Sequence, residues 1–145
     1  MFKHLLVPTD GSELSQAAIQ SAVNFAKSIG AKVTGLYAIP KFHVFTYRTE
    51  MVEDTKEQYS RDSRAHAQKY LATIEDAARK AGVSCETTYV ASDHPYEAIV
   101  DAAEKKGCDL IAMASHGRKG LKGVLLGSET HKVLVHSRIP VLVYH

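Results

Sequence analysis

The 145-residue sequence contains no tryptophan, two cysteines and four prolines. Cys85 and Cys108 stand singly, without CxxC spacing, which excludes a thioredoxin-type redox motif and a cysteine zinc knuckle. They read as reduced, buried thiols in a cytoplasmic protein. No apolar run reaches the roughly 18 residues of a membrane span. The apolar part of "MFKHLLVPTDGS" is too short for a signal peptide. Charge of one sign is also missing: 18 basic against 16 acidic residues leave a net +2. Nothing in that balance argues for a nucleic-acid partner. Three site motifs are absent as well. There is no Gly-x-x-x-x-Gly-Lys-Ser/Thr loop, and the first strand–helix junction reads "PTDGSE", not Gly-x-Gly-x-x-Gly. Eight histidines form no HExxH, and His131 and His136, five positions apart, share a helix face poorly. A dedicated metal site built from protein side chains is therefore not expected.

What is present is a regular alternation, which predicts a single domain over residues 1–145. "HLLVPT" (His4–Thr9) is a short apolar run ending in turn residues. Ser12 can cap the helix after it, whose apolar positions are Leu14, Ala17, Ala18, Ala22, Phe25, Ala26 and Ile29, with Gly30 as its stop. "KVTGLYAI" (Lys32–Ile39) is a second strand. Residues 41–54 are mixed, with Phe42, Val44 and Phe45 either in a flap or on the core. A long polar helix then runs to about Ala81, carrying Leu71, Ile74, Ala78 and Ala81 on one face. "SCETTYVA" (Ser84–Ala91) is a third strand. His94-Pro95 opens a helix with Ala98, Ile99, Ala102 and Ala103 as its buried stripe, closed by Gly107. "CDLIAMAS" (Cys108–Ser115) is a fourth strand, Ser128–Ser137 a short helix and "IPVLVYH" (Ile139–His145) a final strand. Helices between strands predict an open, five-stranded parallel α/β sheet with helices on both faces, Rossmann-like, in the order 3-2-1-4-5. Ligands of such sheets sit beyond the carboxyl ends of the strands where the order reverses. Those ends carry "PTDGS", "YAIP" and "MASHG".

The segment "MASHGRKGLKGVLLGSET" (Met113–Thr130) concentrates four glycines and three basic residues. Glycines permit close approach of a ligand to main-chain N–H groups. Gly127-Ser128 stands where the last helix begins, and a helix start offers free N–H donors and a positive dipole end to a phosphate. Ser128 has two readings, helix cap or phosphate donor. Arg118, Lys119 and Lys122 read as solvated charges. The bland alternative for the segment is a surface loop crossing the sheet edge.

Met113-Ala114-Ser115-His116-Gly117, nine further residues, then Gly127-Ser128 resembles the signature of the universal stress protein family, whose ATP-binding branch carries Gly-x-x-Gly, nine residues, Gly-Ser/Thr. "VPTDGS" and "IPVLVYH" are similar to the family too, so the resemblance spans essentially the whole chain. One position departs: Ala114 stands where the first glycine belongs. With φ below zero the extra methyl costs little; with φ above zero it would strain the backbone. Strand-end geometry predicts the former.

The resemblance implies an adenine nucleotide alpha hydrolase-like fold and a site for ATP, ADP or AMP. It places Asp10 near adenine and ribose, with Pro8 and Thr9 as floor. Ala38 would read the adenine edge through its backbone, and Met113 would pack by the nucleoside. Ala114, His116, Gly117, Arg118, Gly127 and Ser128 would surround ribose and phosphates, with Glu129 and Thr130 adding N–H groups. A magnesium or manganese ion would be held through the phosphates. Three of these residues also have a structural reading: Asp10 as a helix cap, Met113 as core, His116 as a turn residue. The resemblance further implies a homodimer through the last strand, Val141–Tyr144, whose apolar edge is otherwise a pairing hazard. Protein partners stay unspecified. As an enzyme the chain is weak. "MASHG" lacks the glycine two before the serine of a nucleophile elbow. Glu129 is the single carboxylate near the loop, so any ATP turnover is expected to be slow. The competing reading is a stress protein without nucleotide, acting by dimerisation.

Overall fold

The computed structural model of the chain describes residues 1–41, 49–116 and 126–145. In chain order the elements are β1 (His4–Thr9), α1 (Glu13–Ile29), β2 (Lys32–Ile39), α2 (Thr49–Ala81), β3 (Cys85–Ala91), α3 (Pro95–Lys105), β4 (Leu110–Ala114), α4 (Ser128–His136) and β5 (Val141–Tyr144). The five strands form one sheet in the order β3-β2-β1-β4-β5, parallel at every pairing. Fold class and strand order are as the sequence predicts.

Side-chain alternation in β1 divides the core. Leu5 and Val7 pack with Ile19 and Val23 of α1 and Leu71 and Ile74 of α2. Leu6 faces the other way, toward Ile99 and Ala103 of α3 and Val133 of α4. The central strand β1 is thus covered on both faces, as the middle of a parallel sheet requires. Burying each large aliphatic side chain contributes about 1.5–3 kcal/mol.

Helix α1 starts where Ser12 accepts the Ser15 N–H at 3.2 Å. It ends at Gly30, whose φ of +70° suits glycine and lets Ala31 N–H reach the Ala26 carbonyl at 2.8 Å. Its buried face corrects the expected one: Ile19 and Val23 are inside, and Ala17 is exposed. The α3 stripe is the predicted one, Ala98, Ile99, Ala102 and Ala103.

Helix α2 begins at Thr49, so it takes in part of the segment read as mixed; Phe42, Val44 and Phe45 lie outside the described residues. The start was hidden because "TEMVEDTKEQYSR" carries no apolar stripe. The docking face comes later, at Ala67, Leu71, Ile74 and Ala78. Gly35 of β2 makes that docking possible: a Cβ there would stand 2.8 Å from Ile74 Cδ1. The observed β3, β4 and β5 are shorter than predicted by one to three residues, as strand ends commonly are.

The strand order reverses between β1, which leads out to β2 and β3, and β4, which leads to β5. A crevice therefore opens beyond the carboxyl ends of β1 and β4.

Candidate functional site

At the β1 end the chain is held in a tight turn. Thr9, 8% exposed, accepts at Oγ1 from Gly11 N–H (3.1 Å) and Ser15 Oγ–H (2.8 Å). Asp10 Oδ1 accepts the Ser12 N–H at 2.9 Å. Asp10 does not cap α1; Ser12 does, and Asp10 orients the capping residue. Pro8 and Asp10 are half-buried beside Thr9. Ala38, also half-buried, pairs with Val90 one step beyond the Tyr37–Thr9 register.

At the β4 end Met113 is 7% exposed and sits in the core beneath α3 and α4, its structural reading. Ala114 pairs with Tyr144, and its carbonyl accepts from Thr130 Oγ1 at 3.0 Å. Among the described residues no non-glycine has positive φ, so Ala114 carries its methyl without backbone strain. Ser115 N–H donates to the Tyr144 carbonyl, and the Ser115 carbonyl accepts Gly127 N–H, both at 2.7 Å. The second bond closes the neck of the glycine-rich loop. Gly117 and Arg118, with the rest of that loop through residue 125, lie outside the described residues.

Gly127 is needed for space. Its φ of −71° suits any residue, but a Cβ would meet His116 Cβ at 2.9 Å and His116 Cα at 3.0 Å. Gly127 is also the N-cap of α4, and no side chain caps that end. This corrects the capping reading of Ser128, which is exposed in the first turn. Thr130 is buried at 3% exposure. Among the described residues no side chain accepts from the first N–H groups of α4, and such groups need a partner.

Beside that start, among the described residues, two buried side-chain polar atoms have no hydrogen-bond partner, Ser115 Oγ and His116 Nδ1. Buried polar atoms are nearly always satisfied, so adjacent exceptions call for an explanation. Full burial of Ser115 also removes it as an exposed nucleophile. Glu129 reaches elsewhere: Oε2 accepts the Tyr96 N–H of α3 at 3.0 Å, and Oε1 is 3.5 Å from Lys132 Nζ. Sequence reasoning missed this contact, because nothing local links positions 33 residues apart. The structure therefore joins Ala114, Ser115, His116, Gly127 and Thr130 at the β4 end, while Pro8, Thr9 and Asp10 stand at the end of the neighbouring strand β1. Ser115 is the addition; its place as an x of the signature gave no signal.

The model of the universal stress protein family matches residues 1–145. The universal stress protein YxiE of Bacillus subtilis is 36% identical over 147 residues, covering 99% of both chains. The solved structure of MJ0577 has a TM-score of 0.83 and 31% identity, covering 99% of this chain and 95% of that one; it is from Methanocaldococcus jannaschii. A universal stress protein solved in complex with cAMP has a TM-score of 0.72 and 26% identity, covering 99% and 97%.

Proposed function

This chain belongs to the universal stress protein family, and from that premise we propose that it binds an adenine nucleotide and acts as a nucleotide-dependent sensor or regulator of a stress response. The observation that carries the reading is the unmet polar set among the described residues: the uncapped start of α4 beside the unpartnered Ser115 Oγ and His116 Nδ1. A phosphate supplies acceptors and negative charge where the fold leaves N–H groups and a dipole end open. Gly127 lets the α4 start close against His116. Asp10, held by Ser12 N–H, with Pro8, Thr9 and the Ala38 backbone, would take the nucleoside. Gly117, Arg118, Ser128 and the N–H groups of Glu129 and Thr130 would take ribose and phosphates. The relative with cAMP bound supports the adenine class, and ATP is the ligand to test first. A magnesium or manganese ion would be carried in by the phosphates; among the described residues no three metal-ligating side chains come together.

Glu129 is the single carboxylate of the Met113–Thr130 segment, and its side chain is directed to α3. The reading is accordingly a sensor, with any hydrolysis slow. No helix of the described residues is long and apolar enough to cross a membrane, consistent with the proposed cytoplasmic location. A second reading, a stress protein working through dimerisation, is favoured by β5 at the sheet edge beside the exposed Leu134 and Val135. A homodimer through Val141–Tyr144 fits either reading. Calorimetric titration of nucleotide-stripped protein with ATP and GTP tests the proposal. Heat with ATP and little with GTP is expected, and no heat with any adenine nucleotide would sink it. Binding without phosphate release would establish the sensor over the ATPase.

A further inference from the structure

We propose that the Glu129 side chain is a charge-sensitive latch that couples the phosphate end of the site to α3. The proposal rests on the nucleotide reading and adds how that site is regulated. Helix α3 has a poor start of its own. Its N-cap, His94, makes no side-chain capping bond, and Pro95 follows at once. Glu97 and Ala98 N–H turn back to the His94 carbonyl, at 3.0 and 3.3 Å. Tyr96 N–H is met from another helix, by Glu129 Oε2 at 3.0 Å. The other carboxylate oxygen lies 3.5 Å from Lys132 Nζ. Lys132 Nζ in turn stands 5.5 Å from the Tyr96 ring centroid, and that ring packs on His136 at 5.1 Å. Glu129, Lys132, Tyr96 and His136 thus form one connected unit joining α3 to α4.

The position of Glu129 makes the unit responsive. The residue lies in the first turn of α4, the turn that a ligand phosphate would occupy, so the carboxylate and the phosphate draw on the same positive helix end. Two anions within about one helical turn repel, and the repulsion grows with the charge on the ligand. Adenosine brings no such charge, AMP brings some and ATP the most. The latch therefore holds with adenosine and loosens with ATP, freeing the first turn of α3 and the Tyr96–His136 surface. Linkage makes the coupling reciprocal: the charge on Glu129 must also weaken ATP relative to adenosine.

The test combines calorimetry of adenosine, AMP and ATP with amide exchange at Tyr96 by NMR, in the wild type and in Glu129→Gln, which keeps an acceptor and loses the charge. In the wild type, ATP should speed Tyr96 exchange several-fold over the adenosine-bound protein. In Glu129→Gln that difference should vanish, and the ATP-to-adenosine affinity ratio should rise about fivefold. Glu129→Asp, charged but too short to reach α3, should lose Tyr96 protection with every ligand while keeping the wild-type ratio. An unchanged ratio in Glu129→Gln, or Tyr96 exchange indifferent to ligand charge, overturns the latch and leaves nucleotide binding standing. No binding of any of the three ligands removes the nucleotide reading, and the latch with it.

Discussion

The two ends of the sheet treat buried polar groups in opposite ways. At the amino-terminal end His4, 5% exposed, has its Nε2 2.6 Å from Thr34 Oγ1, and the Thr34 hydroxyl donates to Glu86 Oε1 at 3.2 Å. Asp109 accepts N–H bonds from Lys3 and His4 at 2.9–3.1 Å. At the carboxyl-terminal end, among the described residues, Ser115 Oγ and His116 Nδ1 are buried without partners, and no side chain caps the α4 start. The same sheet thus closes its polar accounts at one end and leaves polar atoms open at the other. The closed end stabilises the fold; the open end is where the proposed nucleotide would supply what these groups lack.

The sharpest way to break the open end is Gly127→Val. The new Cβ would stand 2.9–3.0 Å from His116 Cβ and Cα, and main chain cannot step aside as a flexible side chain would. Relief requires opening the Ser115–Gly127 bond that closes the loop neck. We expect ATP affinity to fall at least about tenfold by calorimetry, with a folding cost of about 1–3 kcal/mol in urea melts. Wild-type affinity in this variant would show that the neck does not shape the site.

Asp109→Ala breaks the closed end. Two backbone N–H groups, of Lys3 and His4, lose their carboxylate acceptor, at a cost of about 0.5–1.5 kcal/mol, with nucleotide affinity unchanged. Burial pushes the Asp109 carboxyl up, but the backbone N–H groups of His4 and Lys3 outweigh it and hold the pKa below the usual 3.8. A depressed carboxylate stabilises the fold above its unfolded pKa, and that contribution is lost as pH falls through the folded one. Wild type should therefore lose stability more steeply than the variant below about pH 4. Equal slopes in acid melts would mean these N–H bonds contribute nothing.

The difference between the ends explains what could be read in the sequence. The architecture was legible because it rests on local pattern: the apolar run of His4–Thr9, the Ala98–Ala103 stripe and the glycine stops all act locally. The start of α2 was not, since Thr49 and its neighbours carry polar residues with no stripe to announce a helix. The candidate site was half legible. Gly127 and Ala114 stood out by spacing, yet the reason for Gly127 is a contact with His116 across the loop neck. Ser128 looked like a cap because serine at a helix start usually is one; here the cap fell one residue earlier. The engagement of Glu129 with Tyr96 is tertiary and has no sequence signature.

A smaller effect sharpens the closed end through pH. Burial, with Lys32 nearby, lowers the pKa of His4 below 6.5, against the opposing pull of Glu86 and Asp109. The unfolded chain then takes up a proton before the folded one, so stability falls as pH drops below about 6.5 and levels once the folded imidazole also titrates. His4→Gln should flatten the melting temperature between about pH 7.5 and 5 while leaving ATP affinity alone. A variant curve parallel to the wild type would assign the slope to other groups.

The smallest expected effect belongs to the position that most sets this chain apart from the nucleotide-binding signature. Ala114 lies in β4, paired with Tyr144, and positive φ is confined to glycines among the described residues. Its carbonyl, not its methyl, is what the α4 start uses, through Thr130 Oγ1 at 3.0 Å. Glycine at this position would preserve that bond and add backbone entropy to the unfolded chain. Ala114→Gly should therefore cost about 0.5–1 kcal/mol of stability and leave ATP affinity within about threefold, since the backbone donors and acceptors stay where they are. Tenfold tighter binding would show that the methyl group stands in the path of the nucleotide and that the open end of this sheet is partly closed by one carbon atom.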